Sequence, residues 1–159
     1  MISRTGIGVD VHPLVEGRDL VLGGVVIPFD RGLDGHSDGD ALVHAVIDGC
    51  LGAANLGDIG AHFPSSDPKY LGVQSTVLLS ETVRMLLKHR WRPEYVDATI
   101  VAERPKLRSY VGDMRSALAE ALQIDRDMVS VKATTTDHLG FIGREEGICC
   151  IVVVTISKA

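Results

Sequence analysis

The sequence predicts an α+β fold in which a mixed β-sheet, preceded by an N-terminal hairpin, is covered on one face by helices. Strand-like and helix-like segments alternate along the 159 residues, which is typical of helices layered on a sheet. The last apolar run, ICCIVVVTI at 148–156, lacks the alternation of a half-exposed strand, so both of its faces should be covered. With only 4% aromatic residues, we expect a second copy of the chain to supply part of that cover in a homo-oligomer.

The individual elements follow from local sequence. We expect a first strand at 5–11 and a hairpin at 19–28, where Gly23 and Gly24 can adopt the positive φ of a tight turn. A helix is expected at about 38–55, with Ser37 as N-cap, Asp40 closing a capping-box-like pair and Gly57 ending it. A turn-rich loop at 57–68 is typical of functional loops. We then expect a helix at 74–90 capped by Ser75, a strand at 96–102, a helix at 110–122, and strands at 129–133 and 148–157.

Size and composition limit the functions open to the chain. No linker or repeat divides it, so we expect one domain over 1–159. A net charge of −5 argues against a general nucleic-acid binder, which normally carries a basic stripe. We find neither a signal peptide nor an apolar segment long enough to span a bilayer, and expect a cytoplasmic protein. The cysteines, Cys50, Cys149 and Cys150, form no Cys-x-x-Cys pair and should be reduced and buried.

The strongest functional signal is Asp10-Val11-His12 in the stretch GIGVDVHP. A strand projects residues i and i+2 to the same face, which aims a carboxylate and an imidazole together. His44, in the stretch HSDGDALVHAVIDG, offers a third ligand. Two histidines and a carboxylate suit zinc and leave one coordination position open, which favours chemistry over scaffolding. The alternative is that an isolated Asp-x-His pair is an ordinary polar surface feature.

Two further carboxylates, Asp40 and Asp48, lie four residues before and after His44 and would share its helix face. They are candidates for orienting His44 through its free ring nitrogen. Each of them can equally be a solvated carboxylate on the helix surface.

Two polar clusters in the second half of the chain can bind phosphate. KATTTDHLGFIGREEG, residues 132–147, follows a predicted strand and offers three hydroxyls and a Gly-containing turn. AERPKLR, residues 102–108, holds three cations that can neutralise a diphosphate: Arg104, Lys106 and Arg108. The competing interpretations are a solvated Thr-rich strand end and an ordinary solvated charge cluster.

These segments together resemble the 2-C-methyl-D-erythritol 2,4-cyclodiphosphate synthase family of the non-mevalonate isoprenoid pathway. The resemblance rests on GVDVHP, HSDGDALVHAVIDGCLGAANLGDIGAHFP, ERPK and KATTTDHLGFIGREEG, in this order, and covers essentially the whole chain. It implies a lyase that converts 4-diphosphocytidyl-2-C-methyl-D-erythritol 2-phosphate to the cyclic diphosphate and releases CMP. It also implies a homotrimer whose sheets face the trimer interior and whose active sites lie at subunit interfaces.

The resemblance assigns metals to particular residues. It implies one Zn²⁺ per active site on Asp10, His12 and His44, and a Mg²⁺ or Mn²⁺ bridging the diphosphate, with Asp137 where relatives often have glutamate. His36 and Thr135 match positions that hold the phosphates in the transition state, with Ser37 beside them. In the trimer, Arg144 and Glu146 match residues near a central cavity for isoprenoid diphosphates, although Glu145 stands where glycine is common.

The resemblance also assigns substrate contacts. Asp58 and Gly60 match contacts to the erythritol part, and Ser65 stands where an acidic residue is frequent. The loop that closes over the substrate is formed by Phe63, Pro64, Ser65, Ser66 and Asp67. The cytidine diphosphate contacts, including Lys106 for a phosphate, are Ala102, Glu103, Arg104, Pro105, Lys106, Leu107, Arg108, Thr134, Thr135, Thr136 and Asp137; Phe141 and Arg144 complete the predicted binding residues.

Two other functions remain open at this point. A zinc phosphohydrolase would use the same three ligands with a metal-bound hydroxide as nucleophile and release linear products. A non-enzymatic nucleotide-binding module would use the metal only to tie strand to helix. A fourth protein ligand, such as His62 or Asp40, would favour that third interpretation.

Overall fold

A computed structural model describes residues 1–158 and confirms the α+β class. The main sheet has the strand order β4-β1-β7-β5-β6. Its strands are β1 (Ile2–Glu16), β4 (Arg31–Leu33), β5 (Arg92–Val101), β6 (Val129–Thr134) and β7 (Gly147–Lys158). β7 runs antiparallel to both β1 and β5, whereas β5 and β6 are parallel, so the sheet is mixed as predicted.

The predicted hairpin forms a separate two-stranded sheet. β2 (Leu20–Leu22) pairs antiparallel with β3 (Val25–Ile27). Gly23 and Gly24 connect them with φ values of 59° and 75°. Both residues lie in the left-handed region, which glycine enters without steric cost.

Three long helices cover one face of the main sheet. They are α1 (Ala41–Ala54), α3 (Ser75–Lys88) and α4 (Val111–Leu122). The short helices α2 (Ile59–His62) and α5 (Gly140–Gly143) and three 3₁₀ turns, at Pro68–Tyr70, Arg108–Tyr110 and Arg126–Met128, complete the described chain. One hydrophobic cluster joins the inner faces of these helices to alternate residues of β5, β6 and β7.

The helix ends differ from the predicted ones. Asp40, not Ser37, is the N-cap of α1, where its carboxylate accepts a hydrogen bond from Val43 N at 3.0 Å. Asn55, not Gly57, ends α1 in a left-handed conformation, which asparagine tolerates. Ser75 is the first residue of α3 rather than its cap.

The cysteines are free, as predicted, but unequally buried. Cys50 and Cys150 face the core, and burial raises the pKa of the Cys50 thiol to about 12. Cys149 is only half-buried, because it points to the opposite face of β7. None of the helices between residues 1 and 158 has the length and apolar character needed to cross a membrane.

Candidate functional site

Strand β1 lies against helix α1 because glycines alternate along one face of the strand. Gly6 and Gly8 face the helix, and a Cβ atom on either would overlap backbone atoms of α1. Asp10 and His12 continue this face, since alternate strand residues point the same way. His44, in the first half of α1, therefore lies beside both of them.

The three predicted metal ligands converge. His12 Nε2 lies 2.8 Å from Asp10 Oδ2, and His44 Nδ1 lies 3.3 Å from both of these atoms. All three ligand atoms are within 4.8 Å of one another, which is close enough for a single cation to contact each.

The proton on the His12 ring is fixed from the far side. Its Nδ1–H donates to the backbone carbonyl of Asp34, so Nε2 of the neutral ring carries a lone pair toward Asp10. Asp10 Oδ2 is buried yet accepts no well-directed hydrogen bond from any residue between 1 and 158. Two facing lone pairs at this distance require a cation between them, either a proton or a metal ion.

The titration of the site agrees with this charge arrangement. Burial raises the pKa of Asp10, but the two imidazoles outweigh burial and bring the pKa down to about 2. Burial lowers the pKa of His12, but the Asp10 carboxylate outweighs it and raises the pKa above its ordinary value. The carboxylate therefore stays charged, as a metal ligand must.

Asp40 and Asp48, which were expected to orient His44, do not contact its ring; two serines do. The His44 Nε2 atom contacts Ser37 Oγ at 3.0 Å and Ser75 Oγ at 2.9 Å, not Asp40 or Asp48. Asp40 is fully buried, and its carboxylate accepts hydrogen bonds from the backbone N–H groups of Gly23, Gly24 and Val43. Burial raises the pKa of Asp40 to about 6, against the backbone donors, which lower it. Asp48 accepts instead from Ile59 N at 2.7 Å.

A cavity of about 230 Å³ opens beside the three ligands. It is also lined by His36, Ser37, Gly60, Phe63 and Ser65, all of them predicted binding residues, and by Ile59, Tyr70 and Leu78. His36 Nε2 donates to the carbonyl of Asp67 at 3.1 Å, which ties the ligand-bearing segment to the predicted closing loop.

The predicted closing loop makes several contacts within itself and with the residues beside it. Asp58 caps α2, and the Asp67 carboxylate accepts from Lys69 N. Phe63 is buried and packs edge-on against Tyr70, with ring centroids 5.4 Å apart. Pro64, Ser66 and the Asp58 side chain do not line the cavity. His62 Nε2 donates to the carbonyl of Leu56 at 2.7 Å, and neither His62 nor Asp40 joins the three-ligand cluster among the described residues.

The predicted cytidine segments form a second cavity of about 180 Å³ at the C-terminal ends of the parallel strands β5 and β6. Ala102 N donates to Thr134 O at 3.0 Å, which joins the two segments. The second cavity is lined by Ala102, Glu103, Pro105, Lys106, Leu107, Arg108, Ala133, Thr134 and Thr135. Arg104 lies outside it, with its guanidinium 5.6 Å from the Phe29 ring centroid.

The segment after β6 turns sharply. Asp137 and His138 both have positive φ, and the buried Glu103 carboxylate accepts from His138 N at 3.3 Å. Thr136 Oγ1 donates to Leu139 O at 2.6 Å and does not line the second cavity. Asp137 is exposed.

The end of this segment is held by two ion pairs. Arg144 pairs with Glu146 at 2.8 Å beside the exposed Phe141. Glu145 adopts a left-handed φ of 58°, a conformation that favours glycine, and its carboxylate pairs with Arg31 at 2.7 Å.

The two cavities share no lining residue in one chain. His36 lines the cavity beside the ligands, whereas Thr135 lines the second cavity. One copy of the chain therefore does not gather all of the predicted substrate residues into one pocket.

Sequence reasoning missed three residues that organise the first cavity. Ser75 and Asp38 contact each other beneath His44, and the Arg18 guanidinium donates to the carbonyls of Gly35 and Ser37 at 2.9 and 2.8 Å. Ser75 is 31 residues from His44 and Arg18 is 17 residues from Gly35, so no local spacing pattern joins them.

Comparisons with known proteins identify a family and several relatives of this chain. A model of the YgbB family matches residues 3–157. The chain is 55% identical over 156 residues to the 2-C-methyl-D-erythritol 2,4-cyclodiphosphate synthase of Salinibacter ruber, covering 98% of this chain and 99% of the relative. It is 40% identical to the bifunctional IspDF of Campylobacter jejuni, with a TM-score of 0.95 over 99% of this chain and 43% of that longer chain. IspF of Plasmodium falciparum, solved as a CDP complex, is 30% identical with a TM-score of 0.85, covering 98% of this chain and 96% of that one.

Proposed function

We propose that this chain, which belongs to the YgbB family, is an active enzyme. Its relatives are 2-C-methyl-D-erythritol 2,4-cyclodiphosphate synthases, and it catalyses the same reaction. It converts 4-diphosphocytidyl-2-C-methyl-D-erythritol 2-phosphate to the cyclic diphosphate, as a phosphorus–oxygen lyase of non-mevalonate isoprenoid precursor synthesis. An oxygen of the 2-phosphate bonds to the β-phosphorus, the bridge between the β- and α-phosphates breaks, and CMP leaves with the electron pair. The single domain over 1–159 acts in the cytoplasm.

The convergence of Asp10, His12 and His44 beside a cavity carries this proposal. The buried Asp10 oxygen without a hydrogen bond and the histidine lone pairs fit a divalent cation, and the ligand set suits Zn²⁺. Asp10, His12 and His44 would hold a zinc ion, which would supply Lewis-acid chemistry to the phosphates.

The chain's own residues position the phosphates. The attacking group is already an anion, so the barrier is one of bringing two negative groups together and neutralising charge on the departing CMP. His36 and Ser37, in the first cavity, hold the 2-phosphate and β-phosphate. Thr135 and Lys106, in the second cavity, hold the diphosphate from the cytidine side. No protein nucleophile is required.

The remaining predicted contacts divide between the two ends of the substrate. Asp58 and Gly60 bind the erythritol part, and residues 63–67 close over it. The backbone of 102–108 reads the cytosine edge, because matched hydrogen bonds reject other bases. Thr134, Thr136 and Phe141 complete this end.

A second metal completes the charge balance. Asp137 is exposed beside the second cavity and has a hard oxygen ligand suited to Mg²⁺ or Mn²⁺. Asp137 would hold that ion, which would neutralise negative charge on the diphosphate.

We further propose a homotrimer with shared active sites. The sheet face opposite the helices exposes Ile7 (67%), Val9 (55%) and Ile151 (43%), and Val9 pairs with Ile151 across β1 and β7. A contiguous apolar surface of this kind supports a subunit interface. Sharing also supplies Thr135 of one chain to His36 of the next. Arg144 and Glu146 then lie at a central cavity that accepts an isoprenoid diphosphate.

The test is to incubate the purified protein with the cytidylated substrate, Zn²⁺ and Mg²⁺ and follow the products by phosphorus NMR. A cyclic diphosphate formed in equal amount with CMP is expected. Linear phosphate products would instead indicate a zinc phosphohydrolase, and an unchanged substrate would indicate a non-enzymatic binding module. The names of the relatives favour the synthase over both alternatives.

A further inference from the structure

We infer that Asp38 and Ser75 are positioning residues that fix which nitrogen of the His44 ring carries its proton, and thereby set how tightly the metal centre holds zinc. The inference rests on the proposed function for the identity of the ion. The carboxylate, the hydroxyl and the imidazole form one relay that ends at the ligand cluster.

Asp38 determines the direction of the Ser75 hydroxyl. Ser75 is fully buried, and the Asp38 carboxylate accepts hydrogen bonds from both its hydroxyl and its backbone N–H, the latter at 3.1 Å. An ionised carboxylate only accepts, so the single hydroxyl proton points to Asp38. The Ser75 oxygen is then left with its lone pairs free to accept.

The Ser75 oxygen in turn determines the tautomer of His44. It lies 2.9 Å from Nε2, so the Nε2–H of the ring donates to it. The proton is therefore on Nε2, and the lone pair is on Nδ1. Nδ1 is the atom 3.3 Å from both Asp10 Oδ2 and His12 Nε2, where the ion binds.

Ser37 cannot set this tautomer alone. Its hydroxyl lies 3.0 Å from His44 Nε2 and 3.3 Å from Ser75 Oγ, and it can either donate or accept. Without Ser75, the Ser37 hydroxyl can donate to Nε2 and move the ring proton to Nδ1, which blocks the ligand position. Groups that orient a metal-bound histidine typically change metal affinity by about 10–100-fold when removed.

The test measures the zinc affinity of metal-free protein by competition with a chromophoric chelator. Ser75→Ala should weaken zinc binding by about 10–100-fold. Asp38→Ala should act in the same direction, because it frees the Ser75 hydroxyl to donate to His44. Ser75→Thr, which retains the hydroxyl, should restore most of the affinity. Ser80→Ala is the matched control, since Ser80 lies on the same helix as Ser75 and its hydroxyl donates to the carbonyl of Thr76, away from His44.

Nitrogen-15 NMR of metal-free protein separates positioning from simple packing. The His44 ring should be an Nε2–H tautomer in the wild type and lose that preference in Ser75→Ala or Asp38→Ala, whichever folds. Unchanged tautomer and zinc affinity in the folded variants would overturn the inference. If the wild type binds no zinc, the proposed metal centre is refuted. The His44 tautomer measured in metal-free protein then still tests whether Asp38 and Ser75 position the ring proton.

Discussion

Gly8 in β1 packs directly against the backbone carbonyl of Ala45 in α1. A Cβ atom at Gly8 would overlap that carbonyl and lie 2.9 Å from Gly49 N. Gly8 is two residues before Asp10, and Ala45 follows His44. This contact therefore sets the separation of the strand and the helix that carry the three ligands.

Gly8→Ala should destabilise the protein by about 3 kcal/mol or more, because the strand and helix backbones must separate. It should also weaken zinc binding, since His44 moves away from Asp10. Gly52→Ala is the control, because Gly52 lies in α1, the helix that Gly8 packs against, and has open space around it. Alanine at this position should stabilise the protein by up to about 1 kcal/mol. Urea denaturation of both variants tests this, and similar stability in the two would count against it.

His44→Ala should abolish both zinc retention and cyclisation, because two ligands and an open pocket do not hold the ion. The oligomer should remain, since His44 lies on the helix side of the sheet, away from the exposed apolar face. His89→Ala, at the end of α3, is the control and should keep its zinc. Metal analysis, product NMR and light scattering provide the three readouts. Cyclase activity in a zinc-free His44→Ala preparation would refute the assigned role.

Val9→Glu should convert the proposed trimer to smaller species, because it places a charge on the apolar sheet face. Val26→Glu should leave the trimer intact, although Val26 is similarly exposed at 62%, because it lies on β3 outside the main sheet. Light scattering should give three times the mass of one chain for the wild type and the control. An unchanged mass for Val9→Glu would argue against this face as the interface.

His36→Ala and Thr135→Ala should each lose activity, and their mixture should regain part of it. If His36 of one chain and Thr135 of its neighbour serve the same site, mixed trimers contain some sites with neither substitution. Co-refolding the two variants and measuring CMP release tests this. Mixtures no more active than either variant alone would mean that each chain builds its own site.

Asp40 should make the wild type lose stability as the pH rises. Burial raises the pKa of Asp40 from 3.8 to about 6, so the folded state holds the proton more tightly than the unfolded state. The free energy of unfolding, relative to Asp40→Asn, should fall between about pH 4 and pH 6 and then level off. Urea titrations across this range provide the measurement, and a relative stability that increases with pH would contradict the assignment.

Local spacing predicted one part of the ligand cluster: Asp10 and His12 share a strand face at i and i+2. His44 is 32 residues from His12, so its place beside them was expected from the family resemblance and not from spacing. The spacing argument wrongly placed Asp40 on the helix face of His44. Asp40 is the N-cap residue, which does not have helical backbone angles, so the i to i+4 rule does not apply to it. Asp48 lies on the same helix face as His44, but its carboxylate accepts a hydrogen bond from Ile59 N instead.

Ser75 and Asp38 could not be found from the sequence, because their contact depends on how α3 docks beside α1. Periodicity identifies which face of α3 is buried, but not which residue of another segment that face contacts. The pairing of the two cytidine segments was expected only from the family resemblance. In the structure, the parallel pairing of β5 and β6 brings the segments that follow them to the same sheet edge.

The apolar face formed by Ile7, Val9 and Ile151 is exposed on a single copy of the chain. The proposed trimer covers this face, but an unassembled chain exposes it to any other apolar surface. At low concentration, that chain rarely encounters a second copy of itself. Dilution should therefore favour dissociated chains that adsorb to other apolar surfaces, and the recovery of assembled protein should increase with its concentration.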